Sequence, residues 1–581
     1  MLFLTVGGRG LRKTVRRVVH GAVACLCAGG LFVIGVGLPS AHAEERTVLA
    51  VVTADSYADL KKQAGWLGTQ IGQPGLAGML ESVLLMATQG RGLAGLDVKR
   101  PLGAVVTTDG GDLAVHGFVP VKSLDKLLDS LQAVTGPTEQ SGDSRSLTLP
   151  NGIALDLVEQ DGWAIVSPQG MDVEAVDPAP LFAPLAENYT LGIELFPHRL
   201  PGSLRQQLRM LIEQGAAAAG EQGQPLDARA LDAVFDGLAN TESLALGLAI
   251  DGDNGRLFLE NRTVALPDSP MALAMQGADK GNSSVPMPPA ADGSKPAITA
   301  HVVQSVPEAS RRDAIAILEQ ALPATSTDPL TKTLALLLRE TIASVLATGG
   351  IDAAACVDTD DVAKNAAEKD DGKALPAVTA GIRVKDGAAL ETRIKQTFGA
   401  PAAGPNGGKR LLPPGVDVAF DSGKVGTTNL HTITVDLSGT EAAERLGDTV
   451  NVTLAVTPEY AFLMAGGDPR QRLASLVGPA GKADSEAKPF VGVDVSVSRL
   501  MGPALAELGI VPSETPAAEA GAAGDRQGGD IKLLIRPIDR GVATRLSADA
   551  AAVRVLAAGA GALEPLGGAN PNAFPVPVPA Q

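Results

Sequence analysis

Four histidines follow the first 43 residues, His116, His198, His301 and His431, and no two of them stand at metal-ligand spacing. Zinc requires three or four convergent donors, and the chain has neither a His-Glu-x-x-His run nor a Cys-x-x-Cys pair to supply them. His116 and His431 lie in alternating segments, where each is expected as a single histidine on a sheet surface. Nucleophile and phosphate chemistry are equally short of parts. There is no Gly-x-Ser-x-Gly elbow, no Walker-type loop and no Gly-x-Gly-x-x-Gly behind a strand. No catalytic residue, metal or cofactor is therefore assigned.

Three weaker features remain. Cys356 sits in Ala353-Ala354-Ala355-Cys356-Val357, with none of the basic or helix-dipole neighbours that lower a thiol pKa, so it is expected as a small buried hydrophobe. Asp251, Asp253 and Asn254 resemble part of a calcium loop, as does the acidic run Asp358, Asp360, Asp361, Glu368, Asp370 and Asp371. Neither has the full ligand spacing with Gly at six and a closing Glu, so a turn and a solvated loop are expected. Finally, Glu194 and Asp494 share a context, Leu191-Gly192-Ile193-Glu194-Leu195 against Val491-Gly492-Val493-Asp494-Val495, and Arg199 and Arg499 follow at the same distance. The acid alternates with apolar neighbours and should point to solvent or a cleft, and the arginine fork can satisfy carbonyls or pair the acid. Both copies need the same corner for folding, but these four residues are the candidate ligand contacts.

That match belongs to a larger pattern. At a shift of 263, Val121-Lys122 matches Val384-Lys385, Gly136 matches Gly399, and Leu149-Pro150-Asn151-Gly152-Ile153 matches Leu412-Pro413-Pro414-Gly415-Val416. At 297, Trp163-Ala164-Ile165-Val166 matches Tyr460-Ala461-Phe462-Leu463, with Trp163 and Tyr460 expected in equivalent core slots. At 250, Val48-Leu49-Ala50 matches Ile298-Thr299-Ala300, which sets Cys356 against Val106. The chain is thus read as two copies of one unit, 44–276 and 297–562, with a linker at 277–296, an acidic loop insertion at 358–373 and a Pro-rich disordered tail at 563–581.

Apolar periods of 2 and 3.6 alternate within each unit. Leu102–Thr108 and Leu113–Val119 flank Asp109-Gly110-Gly111, a hairpin signal that recurs at Leu246–Ile250 with Arg256–Leu259 and at Ile531–Ile538 with Val542–Leu546. Ser203 with Gln206, Ser305 with Glu308, and Asp328-Pro329 announce helices, the last stopping at Gly349-Gly350. Hairpins outnumber helices without strict alternation. The expected fold class is α+β: two tandem units, each a mainly antiparallel sheet with helices packed on one face.

Charge and composition decide what remains. Arg9, Arg12, Lys13, Arg16 and Arg17 precede an apolar stretch from Val18 to Leu38 and then Ala41-His42-Ala43, so residues 1–43 are expected to be a signal peptide cut before Glu44. An anchor retained through the same stretch is the rival reading. Cleavage takes five positive charges and no acids from a chain of net charge −17, leaving about −22. No basic cluster survives to displace phosphate counterions, which excludes nucleic acid. Only Cys356 of the three cysteines remains, which excludes an internal disulfide. Aromatics are 3% of 581 residues, too few for a stacking platform, while 45% hydrophobic residues suffice for sizeable cores.

His431-Thr432-Ile433-Thr434-Val435, Leu446-Gly447-Asp448-Thr449-Val450 and Tyr460-Ala461-Phe462-Leu463 leading to Asp468, with Pro101-Leu102-Gly103 and Gly117-Phe118-Val119-Pro120-Val121, resemble a family of exported proteins common in planctomycete-type bacteria. The resemblance implies export and the duplicated layout, and carries over no activity. The expected function is a non-catalytic, periplasmic or extracellular protein with two homologous lobes, binding a protein partner or an apolar ligand in a cleft between them, with no membrane span after signal cleavage. A hydrolase with dispersed carboxylates and a structural envelope protein are the alternatives.

Overall fold

A computed structural model of the protein describes residues 46–110, 112–149, 152–171, 176–219, 228–275, 284–288, 295–321, 329–359, 376–399, 412, 415–477, 490–500 and 529–563. The expected signal segment, most of the expected acidic loop and all but the first residue of the Pro-rich tail lie outside these residues. The described residues from Thr47 onward belong to one compact unit.

Its first part runs β1 (Thr47–Ala54), α1 (Tyr57–Gln70), α2 (Leu76–Ala87), β2 (Leu102–Thr108), β3 (Leu113–Pro120) and α3 (Leu124–Thr135). There follow β4 (Thr138–Ser141), β5 (Ser144–Thr148), β6 (Ala154–Gln160), β7 (Trp163–Pro168), α4 (Ala179–Ala186), β8 (Leu191–Leu195), α5 (Gly202–Ala219), α6 (Ala228–Ala239), β9 (Thr241–Asp251), β10 (Arg256–Ala265) and α7 (Pro270–Met275). The second part opens with β11 (Ile298–Ser305), α8 (Glu308–Ala321), α9 (Pro329–Leu346), β12 (Gly350–Asp358), β13 (Ala377–Arg383), α10 (Gly387–Gly399), β14 (Val416–Val425) and β15 (Thr428–Asp436). It ends with α11 (Glu441–Leu446), β16 (Thr449–Val456), β17 (Tyr460–Ala465), α12 (Pro469–Val477), β18 (Val491–Ser496), β19 (Asp530–Ile538), β20 (Gly541–Asp549) and α13 (Ala550–Leu563).

Among the described residues, twenty strands join one antiparallel sheet. Its first ten strands lie in the order β4-β5-β6-β7-β3-β2-β1-β8-β9-β10. The other ten lie in the order β20-β19-β18-β11-β12-β13-β17-β16-β15-β14. The seam is β10 against β20, from Arg256 opposite Asp549 to Val264 opposite Gly541. Each of these strands is the outer arm of a hairpin, and pairing gives its exposed N–H and C=O groups partners. The expected cleft between lobes is accordingly replaced here by a continuous sheet.

Side chains alternate across this sheet, and the two faces differ. Val51, Val105, Phe118, Trp163 and Ile165 are buried on one face under Phe182 and Leu185 of α4. Phe118, Trp163 and Phe182 meet edge to face, with centroids 5.8 to 6.3 Å apart, the favoured geometry for aromatic quadrupoles. Ala164, next to Ile165 and hence on the opposite face, is buried with Leu157 under Leu124, Leu127 and Leu128 of α3. Helices therefore cover both faces, not one: β7 is apolar at consecutive residues, which seals a strand from both sides. Between the α3 and α10 ends, this second face is open, with Val115, Leu195, Leu246, Leu259 and Leu546 each about two-fifths exposed.

The hairpin signals hold, with β2 spanning the segment expected and Gly110 at φ 97° in its turn, a conformation open to glycine at little cost. Part of the segment expected as a linker, residues 284–288, is described and packs. Val285 is 1% exposed and packs with Phe462, Met464 and Leu473, while the Ser284 N–H and hydroxyl donate to Asp352 Oδ2 at 2.7 and 2.8 Å. The apolar residues of that Ser-Asn-Pro stretch thus complete the second core. Among the described residues, no helix is long and apolar enough to cross a membrane.

Candidate functional site

The open face of the second ten strands carries small side chains where they pair. Ala300 stands opposite Ala355, Ala355 opposite Ala380, and Ala380 opposite Leu463. In the next row Val302 faces Ala353, Ala353 faces Ile382, and Ile382 faces Ala461. Over this floor lie α10, anchored by buried Leu390, and α9, anchored by Val345 and Leu346. Alanine methyls fill less of the gap than branched side chains would, and a pocket of about 450 Å³ remains. Leu390 and Ile394 of α10, Thr341 of α9, and Leu454 and Leu463 complete its walls.

Among the described residues, its lining contains no carboxylate, no ammonium or guanidinium and no aromatic carbocycle; His301 and Thr341 are the polar residues there. The charges beside the roof are paired with each other, Arg393 Nε of α10 donating to Glu340 Oε2 of α9 at 2.7 Å. A pocket of this size falls in the range of small-molecule sites, which are concave and mostly apolar.

The corresponding layer of the first ten strands has floor side chains no larger than these at the matched positions, yet it is closed. Leu157 stands opposite Val166 there, as Leu454 stands opposite Leu463, and Ala164 opposite Val119, as Ala461 opposite Ile382. Leu157 and Ala164 are 6% and 1% exposed, sealed by α3 and by Leu93 and Leu96, whereas Leu463 is 46% exposed.

The four residues singled out by sequence occupy matched places: Glu194 lies opposite Val51, and Asp494 opposite Thr299. Among the described residues Glu194 and Arg199 form no ion pair. Arg199 Nη1 donates to the Val48 carbonyl at 3.2 Å, and its guanidinium lies 4.2 Å from the Phe196 ring centroid. Arg499 Nη1 likewise donates to the Lys295 carbonyl. Each arginine ties its corner to the chain beside the neighbouring strand, the carbonyl-satisfying role. Asp494 meets Lys532 at 3.4 Å and borders a small recess with Lys295, Arg499 and Asp530, whose carboxyl is raised by burial and by Asp494. Glu194 is half-buried while Leu195 is 40% exposed, because the face with Ile193 and Leu195 is the open one.

Other expectations meet mixed outcomes. Gly192 and Gly492 do mark close approaches: a Cβ at Gly492 would stand 2.2 Å from the His301 ring. Trp163 is buried, whereas Tyr460 is half-buried at the edge of its core. Cys356 is a buried free thiol pushed up by burial. Asp251 accepts from the Asn254 backbone and side chain at 3.1 and 2.7 Å, which makes that segment a turn. Of the acidic run, Asp358 is buried 3.9 Å from Arg472, and the residues from Asp360 on lie outside those described.

Both strand histidines, expected on a sheet surface, are 1% exposed. His116 Nδ1 lies 2.9 Å from Ser167 Oγ in the core. His431 sits at the bulge of β14, where the Asp421 N–H donates to Nδ1 at 3.1 Å, leaving Nε2–H to donate to Glu391 Oε1, also at 3.1 Å. Glu391, Asp421 and His431 have donor atoms within 4.8 Å of one another, a grouping that resembles a metal site. Lys395 already bridges both carboxylates, at 2.9 and 2.8 Å, so an ammonium takes the place a cation would fill. Burial lowers the His431 pKa, and the Lys395 hydrogen bond lowers that of Asp421. Forty residues separate Glu391 from His431, with no regular spacing to announce the contact.

A last polar cluster spans the seam. Glu260, 3% exposed, accepts from Tyr189 Oη at 2.8 Å and from Arg545 Nε at 2.6 Å, with Arg536 Nη2 at 3.7 Å. Burial works to raise the Glu260 pKa, but the hydrogen bonds from Arg545 and Tyr189 outweigh it and hold it below the ordinary range. Burial and Glu260 push Tyr189 up to about 12. No family model, curated protein or solved structure matches the chain.

Proposed function

We propose that the protein is an exported, non-catalytic binding protein, built from two homologous lobes, whose second lobe takes an apolar ligand in the pocket beneath α9 and α10. The pocket itself carries the reading: about 450 Å³ bounded by aliphatic side chains, in a layer that the first ten strands fill. Descent of the lobes from one unit is supported by the identical order of strand pairings, β1 with β2 and β8 as β11 with β12 and β18, and so on to the seam. Export to the periplasm or beyond rests on the basic start, apolar stretch and Ala41-His42-Ala43 site, in keeping with the resemblance to exported planctomycete-type proteins.

The alternative of a hydrolase with a dispersed carboxylate pair finds no support in this pocket, because none of the described residues of its lining is a carboxylate. A protein partner is the second reading, favoured by the exposed Val115, Leu195, Leu246, Leu259 and Leu546 on one sheet face. Titration of the purified chain with an environment-sensitive apolar dye tests the first reading. Saturable 1:1 binding, displaced by a lipid extract, is expected. Absence of saturable binding, or turnover of an ester, glycan or peptide abolished by one substitution, would sink it.

A further inference from the structure

Resting on the apolar-ligand reading, we infer that the pocket selects an uncharged aliphatic chain, and that Ala355 and Ala461 are its specificity-determining residues. Charge is the first discriminator. An ionised end group inside would lose its hydration with no opposite charge among the described lining residues to replace it, and the Arg393 guanidinium of α10 is held by Glu340. Shape and chemistry give the second. Aromatic ligands gain from edge-to-face partners, and no Phe, Tyr or Trp is among the described residues that line this pocket, whereas aliphatic walls meet a chain through dispersion and water exclusion alone.

The third argument comes from the matched layer. Strands β6, β7, β3 and β2 pair in the same order as β16, β17, β13 and β12, and there the helix, Leu93 and Leu96 close over Leu157 and Ala164. The strand arrangement is compatible with a filled layer, so the hollow follows from what covers the floor: Leu93 and Leu96 of the connection before β2 have no counterpart in the three-residue connection before β12. Ala355 and Ala461 border it from two neighbouring rows. A leucine at either position would project its extra methyls into the space a ligand chain needs.

The test is isothermal titration of the full chain at neutral pH with n-dodecanol, dodecanoate and a fused-ring aromatic alcohol of similar size. Dodecanol is expected to bind, with dodecanoate and the aromatic each at least about tenfold weaker. Ala461→Leu should abolish dodecanol binding with the far-UV circular dichroism unchanged, and Ala355→Leu serves as the second variant if the first fails to fold. Equal or tighter binding of dodecanoate or the aromatic, or undiminished binding to a folded leucine variant, would overturn the inference while leaving apolar binding in place. Failure of all three ligands to bind would overturn both.

Discussion

Ala164 and Ala461 stand at matched positions in the two tenfold strand sets, one opposite Val119 and the other opposite Ile382, and their surroundings diverge. Around Ala164 the layer is closed by Leu124, Leu127 and Leu128, with Leu93 and Leu96 from the long connection between α2 and β2. Around Ala461 that connection shrinks to Ala347-Thr348-Gly349, so α9 runs almost into β12, and the row Ala300, Ala355, Ala380 lies open below the helices. The same strand order thus supports a packed layer and a hollow one. Backbone pairing sets where a layer can be, and the helix and connection laid over it decide whether it is full.

Cutting the link between the halves should have the largest effect. Arg545→Met leaves the buried Glu260 carboxylate with weaker partners and should cost about 3–5 kcal/mol in chemical denaturation. The pH dependence follows from the lowered Glu260 pKa. Just below the ordinary glutamate range the unfolded chain binds a proton that the folded chain does not, so the stabilisation is complete above that range and falls away with pH. Glu260→Gln should flatten this acid arm, and an unchanged arm in denaturation series from about pH 7 to pH 3 would contradict the assignment.

Truncation within the layers comes next. Leu127→Ala, in the closed layer, should cost about 4 kcal/mol, and Leu390→Ala, already facing the hollow, nearer 2 kcal/mol, because fewer packed neighbours are lost. Enlargement should sharpen the contrast at smaller scale. Ala164→Leu overpacks a sealed site and should cost about 1–3 kcal/mol, while Ala461→Leu, entering open space, should stay under about 1 kcal/mol. Equal shifts in Tm for the two would show that both layers are closed. The smallest effect is expected at Asp125→Asn, which loses an exposed 3.0 Å pair with Arg145 and should change stability by less than about 1 kcal/mol in the same assay.

Much of the fold was legible because it rests on local signals. Asp109-Gly110, Asp251 to Gly255 and the Gly349-Gly350 stop depend on turn and cap chemistry that neighbouring residues specify. The match at 250 shows where such reading slips. Ala50 lies opposite Leu195 and Ile298 opposite Val495, so β1 and β11 correspond two residues away from the expected register. A strand's period is also two, so that slip leaves the apolar alternation intact and undetectable. For Cys356 the slip is one residue: it shares with Val105, not Val106, the place opposite β1 or β11. One residue changes the face, and Cys356 is buried accordingly.

The pocket was not legible. Its lining comes from β11, α9, β12, β13, α10, β16 and β17, spread over more than 160 residues, and each alanine alone is an ordinary strand residue. The His431 cluster was hidden for the same reason, since Glu391 reaches it from a helix and Asp421 from a bulge.

By itself the sequence determined the hairpins, the Asp328-Pro329 start and Gly349-Gly350 stop of one helix, the absence of familiar catalytic motifs and the recurrence of its segments, because each depends on residue type and near spacing. Only the tertiary structure decided that β10 and β20 join into one sheet, that helices lie on both faces, and that one alanine floor is left open. These outcomes depend on which distant strand edges and side-chain volumes meet, a matter of three-dimensional packing that no local pattern encodes.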